Sequence, residues 1–414
     1  MTVHSPFIKA TKTTAWRQTD QTLQWLRLQG IPVLSAKDQQ MLAGQLRLYQ
    51  CWLDQAQLLR MEQAEERGDW LQHPLADRTF RPITSEADNP EHRLVKHLAV
   101  RSLYGLGLNS GRVVLAAFSI HRVKVLQVQA FDPEQEQRDF IREAREELRA
   151  RLEASRQAEI VLGADPEFAL RQRSGEMALA SDYFGKRGKV GCDSTRYREE
   201  LALNQWPLVE IRPDPSPDPA ELTSRIEEAL QLAAARIDKR EVEWLAGGMP
   251  FAGYPTGGHI HFSGIPLHFG LLRQLDAYLA VPLVLAEDEG CRRRRPRYGF
   301  LGDVREKDYG GFEYRTLPSW LVSPLITSGV LSLAKLVATH WRSLPAVRLQ
   351  GRLLIAYYRG RKEMLRPLVL QLWAALKQLP DYARYASVLN RYFDYLLSGE
   401  VWPVERDFRP HWGL

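Results

Sequence analysis

The chain has 414 residues, 44% hydrophobic and 26% charged, with 56 basic against 50 acidic side chains and a formal charge of +6. That hydrophobic content excludes a disordered chain, the lack of a glycine period excludes a fibre, and the length suits two or three units that each bury a core. The small basic excess, mostly arginine, leaves open a nucleic-acid partner, an anionic substrate, or neither.

Met1–Lys12 contains no apolar stretch of the kind a secretory leader needs, and no run of about 18 apolar residues is present to span a membrane. Cys51, Cys192 and Cys291 are far apart and odd in number, giving neither a disulfide framework nor a CxxC metal motif. A reduced, cytoplasmic protein without membrane contact is the expectation. In chain order, Ser35 to about Arg67 reads as a helix. Ser35 can cap it, Asp38 stands at the capping-box position, and Leu42, Leu46, Tyr49 and Leu53 follow at three- and four-residue intervals. His92–Tyr104 is a second helix. Arg112–Ile120 and Val123–Phe131 flank His121-Arg122 as a β-hairpin. Glu134–Arg156 interleaves Glu and Arg in the manner of a solvated connector helix, so the first boundary falls near residue 156. Later, Asp218 caps a helix with Pro219 in its first position, Glu221 completing the cap, and a stripe of Leu222, Ile226, Leu230, Ala233 and Ile237. Leu325–Leu344 and Leu365–Leu397, the second broken at Pro380, are helical again.

Between these helical stretches lie four short strands, each carrying a polar pair two residues apart. They are Asp165 and Glu167 in IVLGADPEF, Glu210 and Arg212 in PLVEIRP, His259 and His261 in GHIHFSG, and Glu313 and Arg315 in GFEYRTL. Strand side chains alternate, so each pair leaves one face while the residue between packs on the other. Taken singly, Asp165-Pro166-Glu167 suits a turn and Glu210–Arg212 a cross-strand ion pair. Taken together, with apolar flanks, they describe one curved antiparallel sheet with a polar face in an α+β fold. Four carboxylates against two guanidiniums leave a negative excess that raises their own pKa values or requires a cation, and carboxylates with imidazole suit Mg²⁺ or Mn²⁺. The arginines suit phosphate or carboxylate oxygens.

Two segments flank these strands. Gly247, Gly248, Gly253, Gly257 and Gly258 make a loop able to close over a ligand, with a plain long turn as the alternative. Arg292, Arg293, Arg294, Arg295 and Arg297 form the densest basic run, 16 residues before Glu313. Without those five, 51 basic residues face 50 acidic ones, so the excess is local and fits phosphate at the site better than nucleic acid.

The ordered set GADPEF (163–168), VEIRP (209–213), GGHIHFSG (257–264), RRPRYG (294–299) and KDYGGFEYRTLPSW (307–320) resembles the phage-type COOH–NH2 ligases, or amidoligases. These are related to the glutamine synthetase and glutamate–cysteine ligase group. The resemblance covers roughly residues 157–345 and implies a glutamine-synthetase-like sheet around an ATP and metal site. It implies Glu167 and Glu210 on one metal, and Asp165, Glu313 and a histidine of the third strand on another, with one of His261 and His259 as that ligand and the other as a substrate or phosphate contact. Arg315, Arg294, Arg295 and Arg297 would face phosphate, and Arg212 would hold a substrate carboxylate or orient Glu210. Family members more often carry Glu-x-Glu on the first strand, where this chain has the shorter Asp165. The implied partners are small-molecule, peptide or protein carboxylates and amines. The stretch before 157 lies outside the resemblance, and the expected division is an N-terminal α/β accessory domain (1–156), a ligase domain (157–345) and a helical C-terminal region packed on it (346–414). A metal-dependent hydrolase and a non-catalytic binding protein of the same fold are the alternatives.

Overall fold

The computed structural model describes residues 20–34, 46–65, 79–83, 89–155, 158–193, 204–237, 241–308 and 310–414. Two compact units divide the described chain, one ending at Ala154 and one beginning at Ser155 that runs to the C-terminus and includes the last helices.

In the N-terminal unit, β1 (Arg47–Asp54), β2 (Gln57–Ala64), β3 (Phe80–Pro82), β4 (Ser110–Ser119) and β5 (Arg122–Ala130) form a sheet ordered β3-β2-β1-β4-β5. Every named pair is antiparallel, unlike the parallel sheet of an α/β unit; β1–β2 and β4–β5 are consecutive paired strands, while helix Pro90–Gly105 stands in the chain between β3 at one edge and β4 beside β1. The hairpin read from the sequence is β4–β5. The helix expected over 35–67 is corrected: its described part holds β1 and β2, and Ser35, Asp38 and Leu42 lie outside the described residues. The cause is burial on both faces. Flanked by β2 and β4, β1 is buried from Leu48 to Asp54, and a stretch apolar at every position from Leu48 to Leu53 except Gln50 also satisfies three- and four-residue spacing by coincidence. The helix Pro90–Gly105 begins as its sequence dictates, with the Asn89 side chain accepting from the Glu91 N–H and Pro90 in the first turn. Glu91 then anchors the sheet, accepting from Tyr49 Oη at 2.6 Å and ion-pairing with Arg47 at 2.6 Å.

In the C-terminal unit, β6 (Val161–Gln172), β7 (Met177–Ala178), β8 (Val190–Cys192), β9 (Leu208–Ile211), β10 (Val242–Leu245), β11 (Gly258–Ser263), β12 (Val304–Glu306) and β13 (Phe312–Tyr314) make an eight-stranded sheet. Its main path is β12-β13-β11-β6-β9-β8, with β7 and β10 also on β6, and every named pair is antiparallel. One face is apolar: Phe168, Ile211, Ile260, Phe312 and Tyr314 are fully buried, and the rings of Phe262 and Phe312 stack at 5.0 Å. Helix Pro219–Ala234, capped by Asp218 as expected, buries its stripe, and Ile237 just beyond it is buried too. Glu221 bonds Arg225 at 2.6 Å rather than closing a capping box. Helix Pro324–His340, capped by Ser323, is buried at eleven of its positions. Lys362–Leu376 and Tyr382–Ser398 fall on either side of Pro380, where the sequence broke. Among the described residues, no helix is long and apolar enough to cross a membrane.

Candidate functional site

The register brings the polar pairs into one row. His259 lies opposite Asp165 between β11 and β6, His261 opposite Glu313 between β11 and β13, and Glu167 opposite Glu210 between β6 and β9. Alternation then puts all of them on the face opposite the aromatic core. Asp165, Glu167, Glu210, His259 and Glu313 line a cleft of about 100 Å³ with Asp193, Arg294, Tyr298, Arg305 and Arg315, and His261 is not part of that lining.

Two acidic triples stand side by side. In the first, Asp165, His259 and Glu313 offer ligand atoms within 4.8 Å of one another. His259 Nδ1 is 3.3 Å from Asp165 and 3.4 Å from Glu313. His261 Nε2 takes the other Asp165 oxygen at 2.9 Å. The imidazole inside this triple is therefore that of His259, a choice between His259 and His261 that the resemblance left open; His261 braces the aspartate from outside. Gly257 makes room for the ring: a Cβ there would lie 2.3 Å from His259 Nε2. Burial alone would raise Asp165, but both histidines outweigh it and hold the carboxyl below its usual range. Glu313 is 2% exposed, and burial would raise it too. His259, Lys307 at 2.6 Å and Arg315 at 3.3 Å keep it lowered instead.

The second triple is Glu167, Asp193 and Glu210, again with ligand atoms within 4.8 Å. Its balance is opposite. Glu167 is buried, accepts from the Gly257 N–H at 2.8 Å, and is raised well above the usual carboxylate range by burial, Asp193 and Glu210. Glu210 is pushed up to about 8 by burial and by Asp165, despite its ion pair with Arg212. Even with Arg212 paired to Glu210 and with Arg294 and Arg315 in the same cleft, Glu167 and Glu210 stay raised.

The residues present fit divalent cations. Asp165 Oδ1 is buried without a well-aligned hydrogen bond, and the donor sets are hard oxygens with one imidazole. The raised carboxyls of the second triple report a shortage of positive charge there.

The basic run behaves differently from expectation. Residues 289–294 are helical, and a helix turns about 100° per residue, so consecutive arginines cannot share a face. Arg294 is buried and lines the cleft, its Nη1 donating to the Thr316 carbonyl at 2.8 Å. Arg295 points into the interior to a buried ion pair with Glu287, under the Tyr357 ring at 4.5 Å, so its expected phosphate role is corrected. Arg292 pairs with Glu289, and Arg293 and Arg297 are exposed and take no part in the cleft's lining. Arg297 therefore does not line the site as expected. The glycine-rich segment is packed rather than free at Gly248, where a Cβ would lie 2.5 Å from Cys291.

Three contributors escaped the sequence reading. Asp193 follows β8 outside any two-residue pair, Arg305 sits on the short β12, and Tyr298 lies just past the arginine run. A signal existed for Tyr298 alone, inside the RRPRYG motif.

The fold and site thus define a mixed helix-and-antiparallel-sheet protein whose sheet carries paired acidic triples beside an arginine-lined cleft. The family model described as "Phage phiEco32-like COOH.NH2 ligase-type 2" matches residues 162–414, more than half of the chain. The chain belongs to that family of ligases. No curated protein matches it in sequence. Among solved structures it is similar to apo GmaS (14% identity, TM-score 0.35, covering 67% of this chain and 78% of that one). It is also similar to GmaS in complex with ADP (14%, TM-score 0.32, 70% and 83%). A third is a bifunctional glutathione synthetase from Pasteurella multocida (8%, TM-score 0.34, 64% of this chain), of which the chain spans about half, 54%. Likeness this distant carries no functional weight.

Proposed function

We propose that the chain is an ATP- and Mg²⁺-dependent carboxylate–amine ligase forming an amide or isopeptide bond through an acyl phosphate. The observation that carries this reading is the pair of acidic triples on neighbouring strands, flanked by Arg294, Arg305 and Arg315 in one cleft. Mg²⁺ or Mn²⁺ held by Asp165, His259 and Glu313, and by Glu167, Asp193 and Glu210, would neutralise charge on phosphate oxygens. Arg315 and Arg305 bind the nucleotide phosphates, and Arg294, fixed by the Thr316 carbonyl, presents its charge from a set position. His261 holds Asp165 in place, and Arg212 holds Glu210 and the substrate carboxylate.

In the first step a carboxylate oxygen of the substrate attacks the γ-phosphorus, and the bond to the bridging oxygen breaks, releasing ADP. The amine nitrogen then attacks the acyl carbon. The carbon–oxygen bond to phosphate breaks, and phosphate and a proton leave. The test pairs purified protein with Mg-ATP and panels of carboxylates and amines, scoring ADP release that requires both. Glu167→Gln and Glu313→Gln should abolish it. Turnover without nucleotide would favour a hydrolase, and binding of neither ATP nor Mg²⁺ overturns the reading.

A further inference from the structure

We propose that Lys307 is a built-in competitor for the cation of the first acidic triple. Its ammonium holds Glu313 Oε2 and must leave before a divalent ion can take that oxygen. This rests on the ligase reading above and assigns the residue that controls loading of one of its metal sites.

Two carboxylate oxygens of that triple are open to a cation. Asp165 Oδ1 and Glu313 Oε2 are both buried without an aligned hydrogen bond, and their residues, with His259, offer ligand atoms within 4.8 Å of one another. A buried carboxylate oxygen in that state is costly until a cation completes it. Lys307 Nζ stands 2.6 Å from Glu313 Oε2, as a contact of charge rather than an aligned hydrogen bond. A divalent ion bonded to the same oxygen at about 2.1 Å could lie no more than about 5 Å from that nitrogen. Two cations so close on one buried oxygen repel, so the ammonium has to give way.

The neighbouring charges act in the same direction. Arg305 Nη1 is 3.4 Å from Glu313 Oε2, and Arg315 Nε is 3.3 Å from Oε1. With Lys307, three cationic side chains therefore meet the two carboxylates of Asp165 and Glu313. A free dication entering here adds to a positive surplus. Phosphate oxygens in the cleft offset it, because Arg305 and Arg315 line that cleft and can grip them.

Lys307 is placed to move. It follows β12 directly, its N–H donating to the Gly311 carbonyl and its carbonyl accepting from the Gly310 N–H, each at 3.0 Å. The backbone of the β12–β13 turn is thus pinned, while the side chain is 24% exposed and has a flexible four-carbon stem. Lys307 takes no part in the cleft's lining, unlike Arg305 and Arg315, so its departure from Glu313 into water removes no contact from a ligand there. A compact ammonium can also cover a single oxygen, as a forked guanidinium does not.

The experiment titrates the full chain with Mn²⁺ by calorimetry, and separately with the Mn²⁺ complex of a non-hydrolysable ATP analogue. Wild type is compared with Lys307→Met and Lys307→Gln, each also made in a Glu313→Gln background. Without nucleotide, both neutral variants should bind Mn²⁺ at the first triple at least about tenfold more tightly than wild type. In the Glu313→Gln background the same substitutions should change nothing, since the contested oxygen is gone. Affinity for the Mn²⁺–analogue complex should change by less than about threefold. The proposal falls if Mn²⁺ binds the neutral variants no more tightly than wild type, or if the gain persists with Glu313→Gln. A tenfold loss of affinity for the analogue complex would overturn it too, making Lys307 a phosphate ligand. If neither wild type nor the variants bind Mn²⁺ with or without the analogue, the ligase reading fails. If wild type binds both and the variants match it, only the role of Lys307 fails.

Discussion

Replacing Glu210 with Gln tests the charge balance of the second acidic triple. Its side chain is 13% exposed, and its carboxyl is pushed from 4.5 up to about 8, by burial first, then by Asp165, with Arg212 offsetting part. The folded value lies above the unfolded one. Between these values the native protein keeps a proton that the unfolded chain has lost. Stability therefore falls as pH rises through this window, and the penalty is absent in acid. At about 1.36 kcal/mol per pH unit, the gap is worth about 5 kcal/mol in alkali, of which about 4 kcal/mol accrues between about pH 5 and pH 9. Urea unfolding of wild type and Glu210→Gln in a chelating buffer, across that range, measures it. The variant's stability relative to wild type should improve by about 4 kcal/mol with rising pH, and millimolar Mg²⁺ should narrow the gap by stabilising the wild-type carboxylate. Parallel profiles, or a gap that shrinks as pH rises, would refute the reasoning.

Other outcomes follow from the same geometry. Glu313→Gln removes the carboxylate that holds His259, Lys307 and Arg315 together, so it should lower stability by about 3 kcal/mol in chelator and remove the Mg²⁺ site of the first triple, leaving one fewer bound ion by calorimetry. Gly257→Ala places a Cβ against His259 and should cut ligation at least about tenfold, with circular dichroism unchanged. Ile226→Ala, in the fully buried stripe, should cost about 2–5 kcal/mol in urea unfolding without altering nucleotide affinity. Burial pushes the thiols of Cys51, Cys192 and Cys291 up, so a thiol reagent should label none of them quickly in the native state and all three after denaturation.

What was legible in the sequence followed from period. Asp165–Glu167, Glu210–Arg212, His259–His261 and Glu313–Arg315 each announced a strand face because a two-residue repeat has few other causes. Which residue meets which was not legible, since register depends on partners distant in the chain. Only the pairing of His259 with Asp165 separates the two imidazoles. The arginine run misled because sequence density says nothing of direction; the helix ends at Arg294, which reaches the cleft, and the extended backbone at Arg295 turns that side chain to Glu287. Asp193 escaped because it follows an edge strand without a polar partner two residues away. Residues 47–64 misled for the reverse reason: β1 lies between two neighbouring strands and is buried on both faces, so it shows no alternation to betray it.

The central claim is ligation driven by ATP through the substrate's own carboxylate, and isotope transfer tests it most directly. With a carboxylate–amine pair that supports ADP release, the carboxylate is labelled with ¹⁸O and the released phosphate is examined by mass spectrometry. Activation by phosphoryl transfer predicts one ¹⁸O atom in each phosphate formed, with the amide product appearing in equal amount. Unlabelled phosphate, or ADP formed without the amine and without amide, would contradict it.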